Sequence, residues 1–289
     1  MNNPKILTVD LGNYNINTCE RIMFPATFTE GKPENPQGEE IITIDGVHYC
    51  MAKECAFDFE FNKNKKNYKP NLFYAIEKSM KGKEKHINLV LGVPVENFGV
   101  GNDFKTDLES QEFEFEINGD KRKVIINKVA VVGEGISSYY TLSEQDRSGD
   151  IMIIDIGGRT INVVTFRNGK LEHKKQINMG MLDFYESVKT RHNSKHGDNL
   201  ETEQMYAYIK KGMVEVNHED EVKFLSDAFN RIKQVANRDF YKIYFTGGGS
   251  ITLEDTIKEL EPRGTIMEDA LFTNVNGNKA IAEAQWGEE

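Results

Sequence analysis

The chain has 289 residues, enough for two domains each with its own core. Hydrophobic residues make up 38% and charged residues 28%, as in a soluble globular protein, and the longest apolar runs fall far below the ~18–20 residues of a membrane span. A net charge of −10 argues against a protein that grips nucleic acid with its own basic surface, and the three cysteines (Cys19, Cys50 and Cys55) form neither a disulfide framework nor a zinc site.

Met1 to Pro4 leads straight into a strand, so no signal peptide is expected, and the cysteines read as structural thiols of a reducing cytosol. Ile6 to Asp10 is apolar except for Thr8 and ends in an acid. Gly12 follows, then a tip of Asn13, Tyr14 and Asn15. Residues 25–67 carry Pro25, Pro33, Pro36 and Gly38, with a hairpin signal at Asp45-Gly46; they predict a small subdomain of turns and short strands. The basic run from Asn62 to Asn67 reads as a solvated loop. Pro70 to Met80 predicts a helix with Leu72, Ala75, Ile76 and Met80 on one face. His86 to Val95 predicts a buried strand, and Asn118-Gly119 a hairpin between Phe113–Ile117 and Lys123–Ile126. Val129 to Gly133 is expected as a further strand that delivers Glu134 into a helix from Gly135 to Gln145. The polar turn Arg147 to Asp150 marks the boundary between halves.

The second half opens on Ile151 to Ile156, a run of β-formers too short for a buried helix. Asp155 lies at its end. Gly157 and Gly158 follow, where the chain turns tightly and leaves backbone N–H groups uncovered, next to Arg159 and Thr160. Ile161 to Phe166 returns and ends at Asn168-Gly169. Met181 to Arg191 predicts a helix, and Arg191 to Asp198 a loop whose His192 and His196 read as an exposed pair without a third metal ligand. Two further helices are expected at Glu201–Gly212 and Glu219–Asn237, the second with Val222, Leu225, Phe229 and Ile232 on one stripe. Tyr241 to Thr246 is a strand. It runs into Gly247-Gly248-Gly249-Ser250 and a helix from Ile251 to Leu260, a junction that lets backbone approach a ligand and favours an anion. Leu271 to Asn276 reads as strand or turn, and Lys279 to Trp286 as a helix.

The two acidic turns are copies. Residues 6–17 lie over residues 151–162 without a gap, sharing Ile, Asp, Gly, Ile and Asn. One copy per half predicts two similar domains presenting two phosphate-binding hairpins to one cleft. Such a tip suits a phosphate with a bound cation: N–H groups face the oxygens and the carboxylate faces the metal. The bland alternatives are that Asp10 and Asp155 only bond turn N–H groups, and that Glu134 is only an acid at a helix N-terminus.

In this order the elements resemble the actin, sugar-kinase and heat-shock-chaperone ATPase superfamily. The matching parts are a first phosphate hairpin at Asp10–Asn17, a connecting segment at Val131–Leu142, a second phosphate hairpin at Asp155–Asn162, an adenosine loop at Thr246–Ser250 and a closing helix at Lys279–Gly287. Within it the chain is most similar to the bacterial actin-like ParM family. The chain is short, no stretch is left for an additional domain, and Val-Val-Gly-Glu-Gly-Ile-Ser-Ser-Tyr-Tyr resembles that family's connecting segment. The Asn13-Tyr14 tip departs from it by lacking the usual small hydroxyl residue.

The resemblance implies an α/β, actin-like ATPase fold of two similar domains, each a mixed sheet flanked by helices, with a nucleotide cleft between them. Domain I would comprise 1–24, 83–150 and 272–289, with 25–82 as its peripheral subdomain. Domain II would comprise 151–178 and 240–271, with 179–239 as a helical subdomain. Asp10 and Asp155 would hold Mg2+. Gly12, Asn13, Tyr14, Asn15, Gly157, Gly158, Arg159, Thr160, Gly247, Gly248 and Gly249 would line ATP or GTP, with Lys210 and Lys211 as candidates for the base or sugar. Glu134 would orient the attacking water. The implied function is a cytoplasmic ATPase that polymerises with Mg-ATP, disassembles after hydrolysis and segregates plasmid DNA through a DNA-binding adaptor of ParR type. Its partners would be copies of itself and that adaptor, with no direct nucleic-acid or membrane contact. Rival readings are a small-molecule kinase on the same fold and a nucleotide-sensing scaffold.

Overall fold

The computed structural model describes residues 4–34, 38–52, 65–96 and 101–287, with the side chains of 101 and 102 excepted. Pro36, Cys55 and the residues 62–64 of the basic run lie outside these, as do Met1 to Asn3 and the last two residues. The chain divides into two compact units, 1–141 with 274–289, and 142–273.

The first unit is built on one mixed sheet. Its strands are β1 (Lys5–Leu11), β2 (Asn15–Thr18), β3 (Met23–Pro25), β4 (Phe28–Glu30), β5 (Ile41–Ile44), β6 (Val47–Met51), β7 (Glu84–Val93), β8 (Gln111–Ile117) and β9 (Asp120–Gly133). They pair in the order β3-β2-β1-β7-β9-β8-β5-β6-β4. The short strands of residues 25–51 therefore extend the main sheet, because β5 pairs with β8 through Ile42 and Thr43. The Asp45-Gly46 and Asn118-Gly119 turns take positive φ at both central residues, which matches the twist of two-residue hairpins.

β1, β7 and β9 run parallel at the centre. Side chains alternate across them, so each face has its own cover. One face presents Leu7, Val9, Leu11, Leu89, Leu91 and Val93 to Leu72, Phe73 and Ile76 of α1 (Lys69–Ser79). A second helix, α2 (Gly101–Leu108), packs on β9 and buries Phe104 and Leu108; the sequence reading contained no element there. The other face carries Thr8, Asp10, Asn88 and Gly92. There Thr8 Oγ1 donates to the Val275 carbonyl (2.7 Å) of a C-terminal helix, residues 273–286.

Two expectations in this unit need correction. Lys123–Ile126 and Val129–Gly133 are one strand, not two. Asn127 is the inserted residue of a bulge, where the β7 register steps from Ile126 to Lys128, and its amide caps the Ile87 carbonyl (3.4 Å). The helix after Glu134 is a single turn, α3 (Ile136–Tyr139), entered through Gly135 at φ 77°. It stops because Tyr140 and Thr141 bond back to Ser137 and Ser138.

The second unit holds β10 (Ile151–Ile156), β11 (Ile161–Arg167), β12 (Lys170–Ile177), β13 (Lys242–Thr246) and β14 (Thr265–Ile266), in the order β12-β11-β10-β13-β14. Every residue of β10 is buried, as expected of a strand covered on both faces. The helices are α4 (Met181–His196), α5 (Met205–Lys210), α6 (His218–Lys233), α7 (Gly248–Thr252) and α8 (Glu254–Leu260), followed by the helix α9 (Thr273–Trp286) whose later residues belong to the first unit. α6 buries Leu225, Phe229 and Ile232 of its expected stripe, together with Phe224 and Ala228.

Three further expectations are corrected here. The Met181 helix does not stop at Arg191 but runs on to Gly197 at φ 74°. His192 and His196 therefore sit on that helix with ring centroids 4.5 Å apart. His192 is buried against Asp198 (2.9 Å) rather than exposed. Residues 271–286 contain one helix rather than a strand and a helix, because Gly277 lies inside it. Helix also starts at Gly248, so only Gly247 of the triplet is loop.

Lys85, with a fully buried side chain, donates to Glu77 (2.5 Å) and to the Gly82 carbonyl (2.6 Å), and Arg122 binds the other Glu77 oxygen (2.9 Å). This triad ties the end of α1 to the starts of β7 and β9. Glu77→Ala leaves Lys85 buried without its counter-charge. It is expected to lower stability in urea denaturation by about 3–5 kcal/mol, whereas the double variant Glu77→Leu with Lys85→Met recovers most of that loss.

Candidate functional site

Two hairpins carry the same residues in the same register. In β1–β2 the partners are Asp10 with Asn17 and Leu11 with Ile16. In β10–β11 they are Asp155 with Asn162 and Ile156 with Ile161. On its other edge each acidic strand pairs in parallel, Asp10 with Gly92 and Asp155 with Thr246. Each carboxylate thus stands at the C-terminal end of a parallel pair, the end at which open α/β sheets bind ligands. The first glycine of each turn permits this geometry. A Cβ on Gly12 would meet the Asn15 carbonyl oxygen at 2.2 Å, and one on Gly157 would meet that of Thr160 at 3.1 Å.

In the second unit the hairpin tip is anchored from behind. The carbonyls of Gly157 and Gly158 accept from Met181 N (3.0 Å) and Leu182 N (2.8 Å) at the start of α4. Across a trans peptide the N–H points opposite to the C=O, so the N–H groups of Gly158 and Arg159 point away from α4. That leaves them aimed outward at the tip, the arrangement of an anion-binding turn. Gly180, which the sequence reading passed over, is required here: its Cβ would lie 2.5 Å from the Gly158 oxygen. Asp155, Thr160 and Asn162 are buried, and Arg159 is half-buried beside them.

The strand-to-helix turn after β13 touches this hairpin. Gly247 has φ 83°, and a Cβ on it would lie 2.4 Å from Asp155 Oδ1. A Cβ on Gly249 would lie 2.3 Å from Ile156 Cγ2, whereas Gly248 has room for one. Two of the three glycines are therefore demanded by contact with the acidic hairpin. Thr246 Oγ1 is occupied by the Ala270 carbonyl (2.9 Å) and by Thr273. Lys210 is exposed on α5, with its Nζ on the Tyr206 hydroxyl of the same helix (3.3 Å); no described contact joins it or Lys211 to the hairpin.

In the first unit Glu134 follows β9 directly, is buried, and donates its N–H to the Val93 carbonyl (2.8 Å). Asp10 and Glu134 therefore stand at the same end of strands one apart, a separation of about 10 Å across β7. The loop after Glu134 is held by a residue that the sequence did not single out. Asn274 Oδ1 of α9 accepts from Gly135 N (2.9 Å), Ser137 Oγ (3.3 Å) and Ser138 Oγ (2.8 Å). One turn on, a Cβ at Gly277 would lie 1.9 Å from the Ser137 carbonyl oxygen, so α9 and the loop cross at a glycine. An asparagine and a glycine at i and i+3, facing a Gly-Ile-Ser-Ser turn, is the signal that could have found this crossing.

The first hairpin's tip is also braced. Tyr14 O accepts from Ala26 N (2.9 Å), and Lys66 Nζ donates to Asn13 Oδ1. Lys66 of the basic run thus brings an ammonium group to the turn beside Asp10, while Lys65 and Asn67 are exposed as expected. Cys19 Sγ accepts from Thr8 N (3.4 Å) on the same hairpin and is structural, as is buried Cys50 against the Gly31 carbonyl.

Among the described residues, no three His, Cys, Asp or Glu side chains are grouped to ligate a metal, and no helix is long and apolar enough to cross a membrane. One carboxylate per hairpin, beside backbone opened by glycine, instead fits a magnesium ion. That ion keeps several waters and is held by one or two carboxylates together with phosphate oxygens.

Comparison with known proteins follows the same division. A family model described as the N-terminal domain of actin-like proteins matches residues 8–136, and one described as the C-terminal part of the archaeal actin homologue MreB-like matches residues 153–259. No curated protein matches the sequence. Among solved structures, the archaeal actin homologue Ta0583 superposes with a TM-score of 0.83 at 17% identity, over 97% of this chain and 99% of that one. The same homologue in complex with ADP gives 0.80 at 17%, over 97% and 99%. A non-polymerisable quadruple mutant of pCBH ParM gives 0.79 at 16%, over 98% and 100%. An AlfA filament bound to AMPPNP gives 0.65 at 18%, over 99% and 98%. At these identities the likeness is one of fold: two mixed sheets flanked by helices, as in actin homologues. The two family models together take in most of the chain, and this chain belongs to the actin-like protein superfamily.

Proposed function

We propose that this chain is a nucleoside triphosphatase of the ParM kind, assembling into filaments with Mg-ATP or Mg-GTP and disassembling after hydrolysis. The observation that carries the reading is the duplicated hairpin, with Asp10 opposite Asn17 and Asp155 opposite Asn162 in matching register. A carboxylate beside a glycine-opened turn is what a protein offers a magnesium–nucleotide, and this chain carries that set twice.

In this reading the backbone N–H groups of Gly12 to Asn15 and Gly157 to Thr160 hold phosphate oxygens, with Lys66 and Arg159 as neighbouring cations. Asp10 and Asp155 accept from water molecules of the cation shell. Magnesium, when bound, neutralises phosphate charge and favours the leaving of the terminal group. Glu134 is the general base, or the group that orients the attacking water. Its buried position and its Asn274-pinned loop fix its direction, which is what a water-positioning group requires. The turn at Gly247 to Gly249, pressed against Asp155, lies beside the nucleotide's α-phosphate or sugar. Lys210 and Lys211 remain candidates for the base or sugar in this reading.

Self-assembly is supported by the fold shared with proteins solved as filaments. A head-to-tail contact that does not close on itself yields a polymer, and the bound terminal phosphate would favour the assembling form. A cytoplasmic site, plasmid DNA as cargo and a DNA-binding adaptor belong to the same proposal; the acidic net charge favours an adaptor over direct DNA contact.

High-speed pelleting at micromolar concentration with ATP and magnesium is expected to sediment the protein, and with ADP to leave it in the supernatant; a supernatant fraction unchanged by nucleotide rejects the filament. Glu134→Ala is expected to slow phosphate release by roughly 100-fold while polymer still forms. Equal release rates for variant and parent would remove Glu134 from the role. Gly247→Ala places a methyl group on the Asp155 carboxylate and is expected to weaken nucleotide binding by at least tenfold in a calorimetric titration.

A further inference from the structure

α9 presents a second polar residue to the first hairpin, one turn beyond Asn274. Asn278 is fully buried, yet neither its Oδ1 nor its Nδ2 has a protein partner within hydrogen-bond reach. Asn88 Oδ1, buried on the sheet face that α9 covers, is in the same condition. Burying an amide without partners costs about 1–3 kcal/mol, so the position asks for a reason.

The location supplies one. Gly92 pairs with Asp10 across β1 and β7. A Cβ placed on Gly92 would lie 3.6 Å from Asp10 Oδ1 and 3.7 Å from Asn278 Nδ2, with no closer neighbour. The space beside Gly92 is thus flanked by the proposed cation-binding carboxylate on one side and the unpartnered amide on the other. A water molecule lodged between these two groups, in front of Gly92, can donate a hydrogen bond to the Asp10 carboxylate and accept one from Asn278 Nδ2. Leucine or methionine at 278 would fill the same volume without the polar cost, and the chain carries neither.

We propose that Asn278 is a positioning residue of the first hairpin: with Asp10 it holds a water of the divalent cation's hydration shell in the space beside Gly92. The inference rests on the proposed Mg-nucleotide site and adds to it a residue of the closing helix. It also gives Gly92 a role, because any side chain there would occupy the water's place. α9 then touches both halves of the site in the first unit, Asn274 through the Glu134 loop and Asn278 through the Asp10 water. The two residues are four apart and so lie on one face of the helix.

The test uses the full chain, with the magnesium midpoint of ATP binding read by titration and the thermal midpoint read without nucleotide in EDTA. Asn278→Leu is expected to raise the magnesium midpoint by 10–100-fold, as for other residues that orient a metal's ligands, while leaving the nucleotide-free thermal midpoint equal or higher. Gly92→Ala leaves Asn278 in place and fills the space with a methyl group at ordinary contact distance, so it is expected to raise the magnesium midpoint similarly. It serves if Asn278→Leu does not fold. Unchanged magnesium midpoints in the folded variants overturn the inference and leave Asn278 as a structural amide. A parent chain that binds ATP equally with and without magnesium overturns the site proposal itself, and this inference with it.

Discussion

The parallel pairing of β1 with β7 and of β10 with β13 places an aspartate at the end of a strand whose next residues must turn back on themselves. That constraint shapes both units. The return strand pairs antiparallel after a four-residue turn, so an Asn faces each Asp and a glycine must open each turn. Where a second segment approaches the same carboxylate, it too loses its side chain: Gly92 beside Asp10 and Gly247 beside Asp155. The glycines are therefore not scattered flexible points. They mark where backbone comes close to one of the two acids or to its turn.

The first unit adds a crossing that the duplicated hairpins do not contain. α9 lies over the polar face of the central strands, accepting through Asn274 Oδ1 and the Val275 carbonyl and meeting the Glu134 loop at Gly277, while Asn278 is buried on the same helix without a protein partner. The opposite face is occupied by α1 and the apolar cluster around Leu72, Phe73 and Ile76. One sheet thus separates a largely apolar layer, which supplies stability, from a layer rich in hydroxyl and amide groups, which carries the proposed chemistry. Buried polar groups cost stability unless they are paired, so a layer of this kind persists where it has a task.

Much of this was legible in the order of the residues. The period-two and all-apolar runs marked the central strands, Asn-Gly and Asp-Gly marked three two-residue turns, and the gapless match of residues 6–17 to 151–162 marked the two hairpins. Those signals are local: each depends on φ preference or side-chain size within a few residues. The errors had both local and distant causes. Asn127 read as an interruption because a bulge tolerates a polar residue that a regular strand end would also show. The split of residues 271–286 into Leu271–Asn276 and Lys279–Trp286 had a distant cause: Gly277 belongs inside one helix because a notional Cβ there would meet the Ser137 carbonyl at 1.9 Å, 140 residues away in the chain.

What the sequence determined by itself was therefore the superfamily, the two acidic turns and the place of Glu134, since each is written in contiguous residues. Tertiary structure alone decided which residues stand beside them: Gly180 behind the second turn, Lys66 at the first, Asn274 at the Glu134 loop, and Gly92 and Asn278 near Asp10. The reason is physical. A turn's conformation is set by its own backbone preferences, whereas a supporting side chain is chosen by the distance left when distant segments pack, and nothing in its own neighbourhood records that distance.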